Sequence, residues 1–191
     1  TQFDKAEADP TQAATAGYWK GLSLKSLRDF ASAADVLAAT AKKLKKTDKL
    51  LESVVYQQAD CEFKAGKLSQ AADTFLSVAQ QWPKGQYADH SLYFSTECLL
   101  DAVTKAGAVE RLEKLAEAET LINMFARDYK TSKLTFSHQI QHSHFLVLRG
   151  ESDDIKNAEK ILQSVLKSSE QSQTQGEARY ELARLLQRQG N

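Results

Sequence analysis

The chain has 191 residues, of which 42% are hydrophobic, and its 25 Lys and Arg residues equal its 25 Asp and Glu residues in number. A net charge of zero offers no surplus of positive charge to a polyanion, so we do not expect nucleic acid as a partner. No apolar run is long enough to span a bilayer, and we expect no membrane-spanning segment.

The predicted elements are all helices, because only 8 glycines and 2 prolines interrupt a sequence rich in good helix formers. The first helix is expected to begin at Pro10, after an Asp9 cap. In chain order the nine predicted helices cover residues 10–28, 30–46, 48–65, 69–81, 86–106, 109–129, 132–149, 153–169 and 174–189. We therefore predict an all-α fold.

One pattern recurs in every second predicted helix: an apolar residue, two residues, alanine, three residues and another apolar residue. Its spacings of three and four place these side chains on one helix face, and the small alanine allows a neighbouring helix to approach closely. The four occurrences are Phe30-Ala33-Leu37, Leu68-Ala71-Phe75, Leu115-Ala118-Ile122 and Ile155-Ala158-Leu162. They recur at intervals of roughly 40 residues, which is typical of a repeat protein.

Each of these helices is preceded by another that is centred on a small residue. These small residues are Gly21, Ala59, Ser95 and Ser143, and Ala183 takes the same place in the last predicted helix. The pattern predicts four helix pairs followed by the first helix of a fifth. Because the repeat stops there, we expect the chain to be a piece of a longer protein.

The turns within the pairs carry glycine and capping residues. Gly66 and Gly150 can adopt the positive φ that ends a helix, Ser69 can cap the following helix in one pair, and Asp153 or Asp154 can do so in another. Cys61 and Cys98, on helix-patterned segments with no C-x-x-C spacing, are expected to be small buried apolar groups.

This arrangement resembles the tetratricopeptide repeat (TPR), a helix–turn–helix motif. The second pair carries the resemblance best, with Ala59, Gly66, Ala71, Phe75 and the closing Pro83, which is expected to end its second helix. The resemblance covers nearly the whole chain. It implies a right-handed superhelix of antiparallel helix pairs, forming one solenoid domain over residues 1–191, with a concave surface lined by the first helix of each pair.

A narrower similarity concerns the junctions between pairs. The segments "SVAQQWPKGQYADHSLYF" and "NMFARDYKTSKL" are similar to the aromatic-Pro-x-Ser/Gly-x-x-Ala junctions of bacterial envelope repeat proteins, such as outer-membrane assembly lipoproteins and the periplasmic Tol-Pal partner. The second segment has Lys130 where the proline would fall. This similarity favours the bacterial cell envelope or periplasm as the location.

The TPR resemblance implies a non-catalytic scaffold that binds a peptide or helix of a partner protein in the concave groove. The residues that the family pattern places on this surface include Tyr18, Lys25, Tyr56, Asp60, Phe63, Lys64, Thr96, His144 and Arg184. An alternative is a structural or oligomerisation module of a larger protein. In that case the apolar residues of the last helix would mediate self-association: Tyr180, Leu182, Leu185 and Leu186.

The sequence offers little support for metal-binding or catalytic chemistry. His138 and His142 share a helix face, but His144 lies about 200° around the helix from His142, so we predict no metal site and no cofactor. The lysines from Lys42 to Lys49 are expected at the end of the second helix, where positive charge is favourable. We expect the aromatic residues Trp19, Trp82 and Tyr87 to pack between helices. No constellation of nucleophile, base and orienting group predicts an enzyme.

Overall fold

The computed structural model of the chain describes residues 10–188, and the side chains of residues 12–187. The described part contains nine helices and no strand, which confirms the all-α prediction. They are α1 (Pro10–Ser26), α2 (Phe30–Ala41), α3 (Leu50–Lys64), α4 (Leu68–Gln81), α5 (Ala88–Val103), α6 (Ala108–Asp128), α7 (Thr135–Arg149), α8 (Asp154–Ser168) and α9 (Ser172–Arg188). The predicted cap Asp9 lies outside the described residues.

The end of α2 and the start of α4 differ from the prediction. Helix α2 ends at Ala41, so the lysines of residues 42–49 follow the helix and do not occupy its last turn. The chain turns here because Leu44 packs back against the core around Leu37. Helix α4 begins one residue earlier than predicted, and its N-cap residue is Lys67, so Ser69 is not the cap.

The predicted turns at Gly66, Gly150 and Pro83 are confirmed. The two glycines have φ of 76° and 77°, in the left-handed region where a side chain would be strained. Helix α4 ends at Gln81, and Trp82 already has non-helical backbone angles before Pro83. Proline thus stands where the backbone leaves the helix, as its missing N–H and its ring require.

The chain forms two compact units, Thr1–Cys98 and Leu99–Asn191. In the first, α1 packs on α2, α2 on α3 and α3 on α4, and α1 also contacts α3. In the second, α6 packs on α7, α7 on α8 and α8 on α9, and α7 also contacts α9. This helix-pair packing, with contact between the first helices of consecutive pairs, is the predicted TPR-like arrangement. That the two units form one solenoid domain stays a prediction.

The repeated alanines lie at the centre of the packing. Ala33, Ala71, Ala118 and Ala158 are all fully buried. Their partners on the preceding helices are close-packed too: a Cβ at Gly21 would lie 2.5 Å from Leu37 Cγ. In the next pairs Ala59 is fully buried, and the buried Ser95 hydroxyl donates to the carbonyl oxygen of Ala72 at 2.9 Å. Ser143 is buried as well, so all four small residues lie within the helix packing, as predicted.

Two expectations for the last helix, α9, are wrong. Ala183 is exposed, and the buried small residue of α9 is Ala178, which packs with Leu162 and Val165 of α8. The apolar residues expected to form an exposed face are largely covered, since Leu185 is only 2% exposed and Leu182 packs against the same cluster. Only Tyr180 among them is largely exposed. Because α7 and α8 already cover this face, little apolar area remains for self-association through α9.

Candidate functional site

The first helices of the first two pairs are connected by charged side chains. Lys25 Nζ of α1 lies 2.6 Å from Asp60 Oδ2 of α3, and Lys64 Nζ lies 2.8 Å from the same oxygen. Lys25 Nζ also donates to Gln57 Oε1 at 2.5 Å. Two ammonium groups thus share one carboxylate, which leaves a net positive charge on this surface.

Aromatic rings continue the same surface. Tyr56 of α3 stacks on Tyr87 with ring centroids 4.1 Å apart and an angle of 8°, and it meets Phe75 edge-on at 5.8 Å. Burial raises the pKa of Tyr56 to about 12, with a further contribution from the negative charge of Asp60. Burial also raises the pKa of Tyr18 on α1. Both phenols are therefore neutral hydrogen-bonding groups at physiological pH.

We call the surface formed by Tyr18, Lys25, Tyr56, Asp60 and Lys64 the α1/α3 face. All five side chains are at least partly exposed. Sequence reasoning placed all five on one surface of consecutive first helices. The structure brings Lys25, Tyr56, Asp60 and Lys64 together, and Tyr18 interacts electrostatically with Tyr87, the ring on which Tyr56 stacks. Such a mixture of aromatic rings and charged groups can recognise a polypeptide by stacking, hydrogen bonding and charge.

A cleft of about 520 Å³ opens beside the α1/α3 face. It contains two residues that sequence reasoning missed, Gln57 and Arg28. Gln57 stands three residues before Asp60 and seven before Lys64 on α3, and this spacing, which puts residues on one helix face, could have placed it there. Arg28 has a φ of 62°, an unusual backbone conformation for a side-chain-bearing residue, which the sequence does not signal. Its guanidinium adds a third cation to Lys25 and Lys64.

Three aromatic or polar residues differ from their predicted roles. Thr96 is 1% exposed and its hydroxyl donates to Leu92 O at 2.9 Å, so it is not available on a binding surface. Trp19 is 61% exposed and does not pack between helices as expected. Phe63 is half-buried, with its ring 6.0 Å from that of Phe94, so most of its area belongs to the packing. Trp82 is also half-buried, in line with its expected packing role.

The remaining two predicted site residues lie in the second unit. His144 of α7 and Arg184 of α9 line the same small cavity. Arg184 Nη1 lies 3.0 Å from Glu181 Oε1, and its guanidinium sits 5.7 Å from the centre of the Tyr180 ring. The structure therefore brings these two residues together on the first helices of consecutive pairs, as the repeat pattern implies.

The other two histidines of α7 are involved in packing. His138 is buried and stacks on Phe125 with centroids 4.3 Å apart, and its Nε2 lies 3.1 Å from the Ile122 carbonyl oxygen. Because a carbonyl oxygen only accepts, this nitrogen carries the hydrogen. Burial lowers the pKa of His138 to about 4 and also lowers that of His142. No group of three or more potential metal ligands occurs among the residues that the structure describes.

Cys61 and Cys98 are buried, as expected. Burial raises the pKa of the Cys61 thiol, which makes it a poor nucleophile. None of the helices within residues 10–188 combines the length and apolar character needed to cross a membrane.

In a comparison with protein families, residues 53–85 match the family model of the tetratricopeptide repeat. The matched segment runs from α3 through α4 and past Pro83, and is the helix pair whose residues carried the resemblance in the sequence. No curated protein matches the chain.

Proposed function

We propose that the chain is a scaffold that binds a partner protein through the α1/α3 face. The premise is that its residues 53–85 match the tetratricopeptide repeat, a motif that is in general a non-catalytic protein-interaction repeat. In this proposal the partner presents an extended peptide or a helix, and the chain performs no catalysis. The partner's segment lies along Tyr18, Tyr56 and the shared lysines.

One observation supports this site above the others. The Asp60 carboxylate, which is 17% exposed, is contacted by both Lys25 and Lys64, while aromatic rings flank the same surface. Half-buried rings are already held in place, so they lose little conformational freedom when a partner binds. The lysines can exchange part of their contact with Asp60 for an acceptor on the partner, which gives specificity through charge.

The proposal is tested by quantitative affinity capture from the source's lysate, with the wild-type chain and two variants as baits. Lys64→Glu reverses an exposed charge on the α1/α3 face, and Lys46→Glu makes the same change in net charge in the turn after α2. A partner retained by the wild type and by Lys46→Glu, but lost by Lys64→Glu, is the expected result. Hydrogen exchange of the purified complex should then show protection in α1 and α3.

Two results would contradict the proposal. The same proteins could be retained by wild type and Lys64→Glu, or protection on binding could fall outside α1 and α3. Thermal denaturation of each bait ensures that any lost capture is not caused by unfolding. We do not choose Tyr56→Ala for this test, because its ring packs on Tyr87 and Phe75 and its loss would disturb the fold.

A second candidate function is self-association within a larger assembly. Val109 and Leu112 lie three residues apart on α6 and are 74% and 70% exposed, which is unusual for large apolar side chains. If a second copy covers them, light scattering will show a dimer for the wild type and a monomer for Leu112→Glu. A monomeric wild-type chain at high concentration would rule out this function. A location in the bacterial cell envelope stays a prediction.

A further inference from the structure

The second unit contains a cavity that no role described so far uses. It has a volume of about 450 Å³, and it is lined by residues of α6, α7, α8 and the α6–α7 connection. This volume is in the range of sites that hold small organic groups. Tyr129 and Ile161, which are half-buried, supply apolar surface that a ligand could reach, whereas Phe125 and His138 are only 1% and 5% exposed and stack on each other behind it.

Among the described residues, one charged side chain lines the cavity. Lys130 stands at the cavity, and its ammonium forms no ion pair with any residue that the structure describes. His138 and His142 line the cavity as neutral rings at physiological pH, because burial lowers the pKa of both. The charge of Arg149 lowers the pKa of His142 further, and the carboxylates of Glu119 and Asp154 act in the opposite direction. Among the described residues that line the cavity, none carries a carboxylate.

Several uncharged polar side chains line the cavity, and each of them can donate a hydrogen bond as well as accept one. The Gln139 amide and the Ser164 hydroxyl line it, as does the His142 ring, and these three side chains make no hydrogen bond to any described residue. By contrast, the Nε2 hydrogen of His138 is used by the Ile122 carbonyl oxygen. An apolar wall with one ammonium, and with uncharged side chains that can also donate, suits a group that is apolar at one end and negatively charged at the other.

We propose that this cavity binds an apolar carboxylate: an aromatic or branched aliphatic body against Tyr129 and Ile161, with its carboxylate near Lys130. Both a free organic acid and the C-terminal residue of a peptide have this chemistry. The site is separate from the α1/α3 face, because all of its residues belong to the other compact unit.

The test uses nuclear magnetic resonance titration of the full chain with matched probes. The first pair is 3-phenylpropanoate and 3-phenylpropanamide, and the second is a short peptide ending in phenylalanine with a free or an amidated C-terminus. We expect saturable shifts at residues of α6 and α7 with each acid that binds. The acid should bind about fivefold or more tightly than its amide, because the charge-assisted contact to Lys130 is lost in the amide.

Three variants locate the site. Lys130→Met should weaken the acid about fivefold and leave the amide unchanged. Ala126→Phe, at an exposed position that lines the cavity, should fill it and weaken acid and amide alike. Lys133→Met removes a nearby exposed lysine that does not line the cavity, and it should change neither affinity.

The titrations give distinct results for a true and for a false proposal. Binding of the free acid, of the free-carboxylate peptide or of both supports the proposal, and the comparison of the two shows which source the cavity prefers. No saturable shift with any probe up to roughly 10 mM, equal binding of acid and amide, or no effect of Lys130→Met and Ala126→Phe would overturn it. Lys64→Glu on the α1/α3 face should leave these titrations unchanged, so the two proposals fail independently.

Discussion

Lys25 of α1 and Asp60 of α3 form an ion pair with a distance of 2.6 Å between Nζ and Oδ2. The pair joins the first helices of two consecutive helix pairs, and Lys64 contacts the same oxygen from one turn further along α3. Because α1 and α3 otherwise meet through few residues, this carboxylate both aligns the two helices and sets the charge of the candidate binding face.

The energetic coupling of Lys25 and Asp60 can be measured with a double-mutant cycle. With Lys25→Met, Asp60→Asn and the double variant, we expect a coupling of about 0.2–1 kcal/mol in the free energy of unfolding by urea. It is small because the two side chains keep 24% and 17% of their exposure, so solvent screens the attraction. The more exposed pair Lys105 and Asp101 serves as control and should give a smaller value. Coupling no larger than that of the control pair would contradict a bridging role.

The contact between α1 and α2 depends on Gly21. In Gly21→Ala, the new Cβ would lie 2.5 Å from Leu37 Cγ, and we expect a loss of about 1–3 kcal/mol in unfolding free energy, even though alanine favours helix. Gly176→Ala is the matched control on α9, where nothing lies within 4 Å of the added carbon. That variant should be stabilised by up to about 1 kcal/mol. Equal shifts in midpoint temperature for the two variants would show that helix propensity, and not packing against Leu37, determines the stability change.

Arg149 at the end of α7 neutralises a buried carboxylate. Its Nη2 and Nε lie 2.6 Å and 3.0 Å from the two oxygens of Asp154, which is 2% exposed, and the hydrogen bonds from Arg149 hold the pKa of Asp154 below its usual range. Arg149→Met leaves that carboxylate with the Glu151 N–H as its remaining donor. We expect a loss of about 3 kcal/mol in the unfolding free energy.

A second variant identifies the cause of that loss. In Arg149→Met combined with Asp154→Leu no charge is left buried, so part of the stability should return. If the double variant is no more stable than Arg149→Met alone, the loss comes from packing of the arginine against Phe145, whose ring centre lies 5.2 Å from the guanidinium carbon.

Helix pairing was predictable because it depends on spacing that the sequence displays directly. Ala71 and Phe75 are four residues apart and both are buried, and Pro83 stands where the second helix has ended. The end of α2 was not predictable from its composition. The lysines after Ala41 favour helix individually, but Leu44 gains more by packing on the core than it would by continuing the helix.

The candidate site was predictable only in part, because the repeat gives the direction of a side chain but not what covers it. The direction was right for Lys25 and Asp60, which meet on the expected surface. Thr96 has the same kind of position in its helix but is buried, and its hydroxyl is used by a backbone carbonyl. Trp19 shows the reverse: a large ring suggests a core position, yet no helix within residues 10–188 covers it.

His138 should make the stability of the chain sensitive to acid. Its pKa is lowered from the ordinary 6.5 to about 4 by burial, so the folded state binds a proton less tightly than the unfolded state. As the pH falls below 6.5, the unfolded state is protonated first and is favoured. The stability lost in this way should grow by up to about 1.4 kcal/mol per pH unit and level off near pH 4.

Urea denaturation at several pH values between about 7 and 5 measures this loss, and His138→Gln isolates the contribution of this ring. Glutamine does not titrate in this range but can still donate to the Ile122 carbonyl oxygen. The variant should be less stable at neutral pH, because the stacking on Phe125 is lost, yet its stability should fall less steeply with acid than that of the wild type. The lowered pKa of His142 is common to both proteins, and the charge of His142 is the smallest of the causes that act on the pKa of His138, so the difference in slope belongs mainly to His138. Identical slopes would mean that His138 is protonated equally in the folded and unfolded chain, and that its burial carries no electrostatic cost.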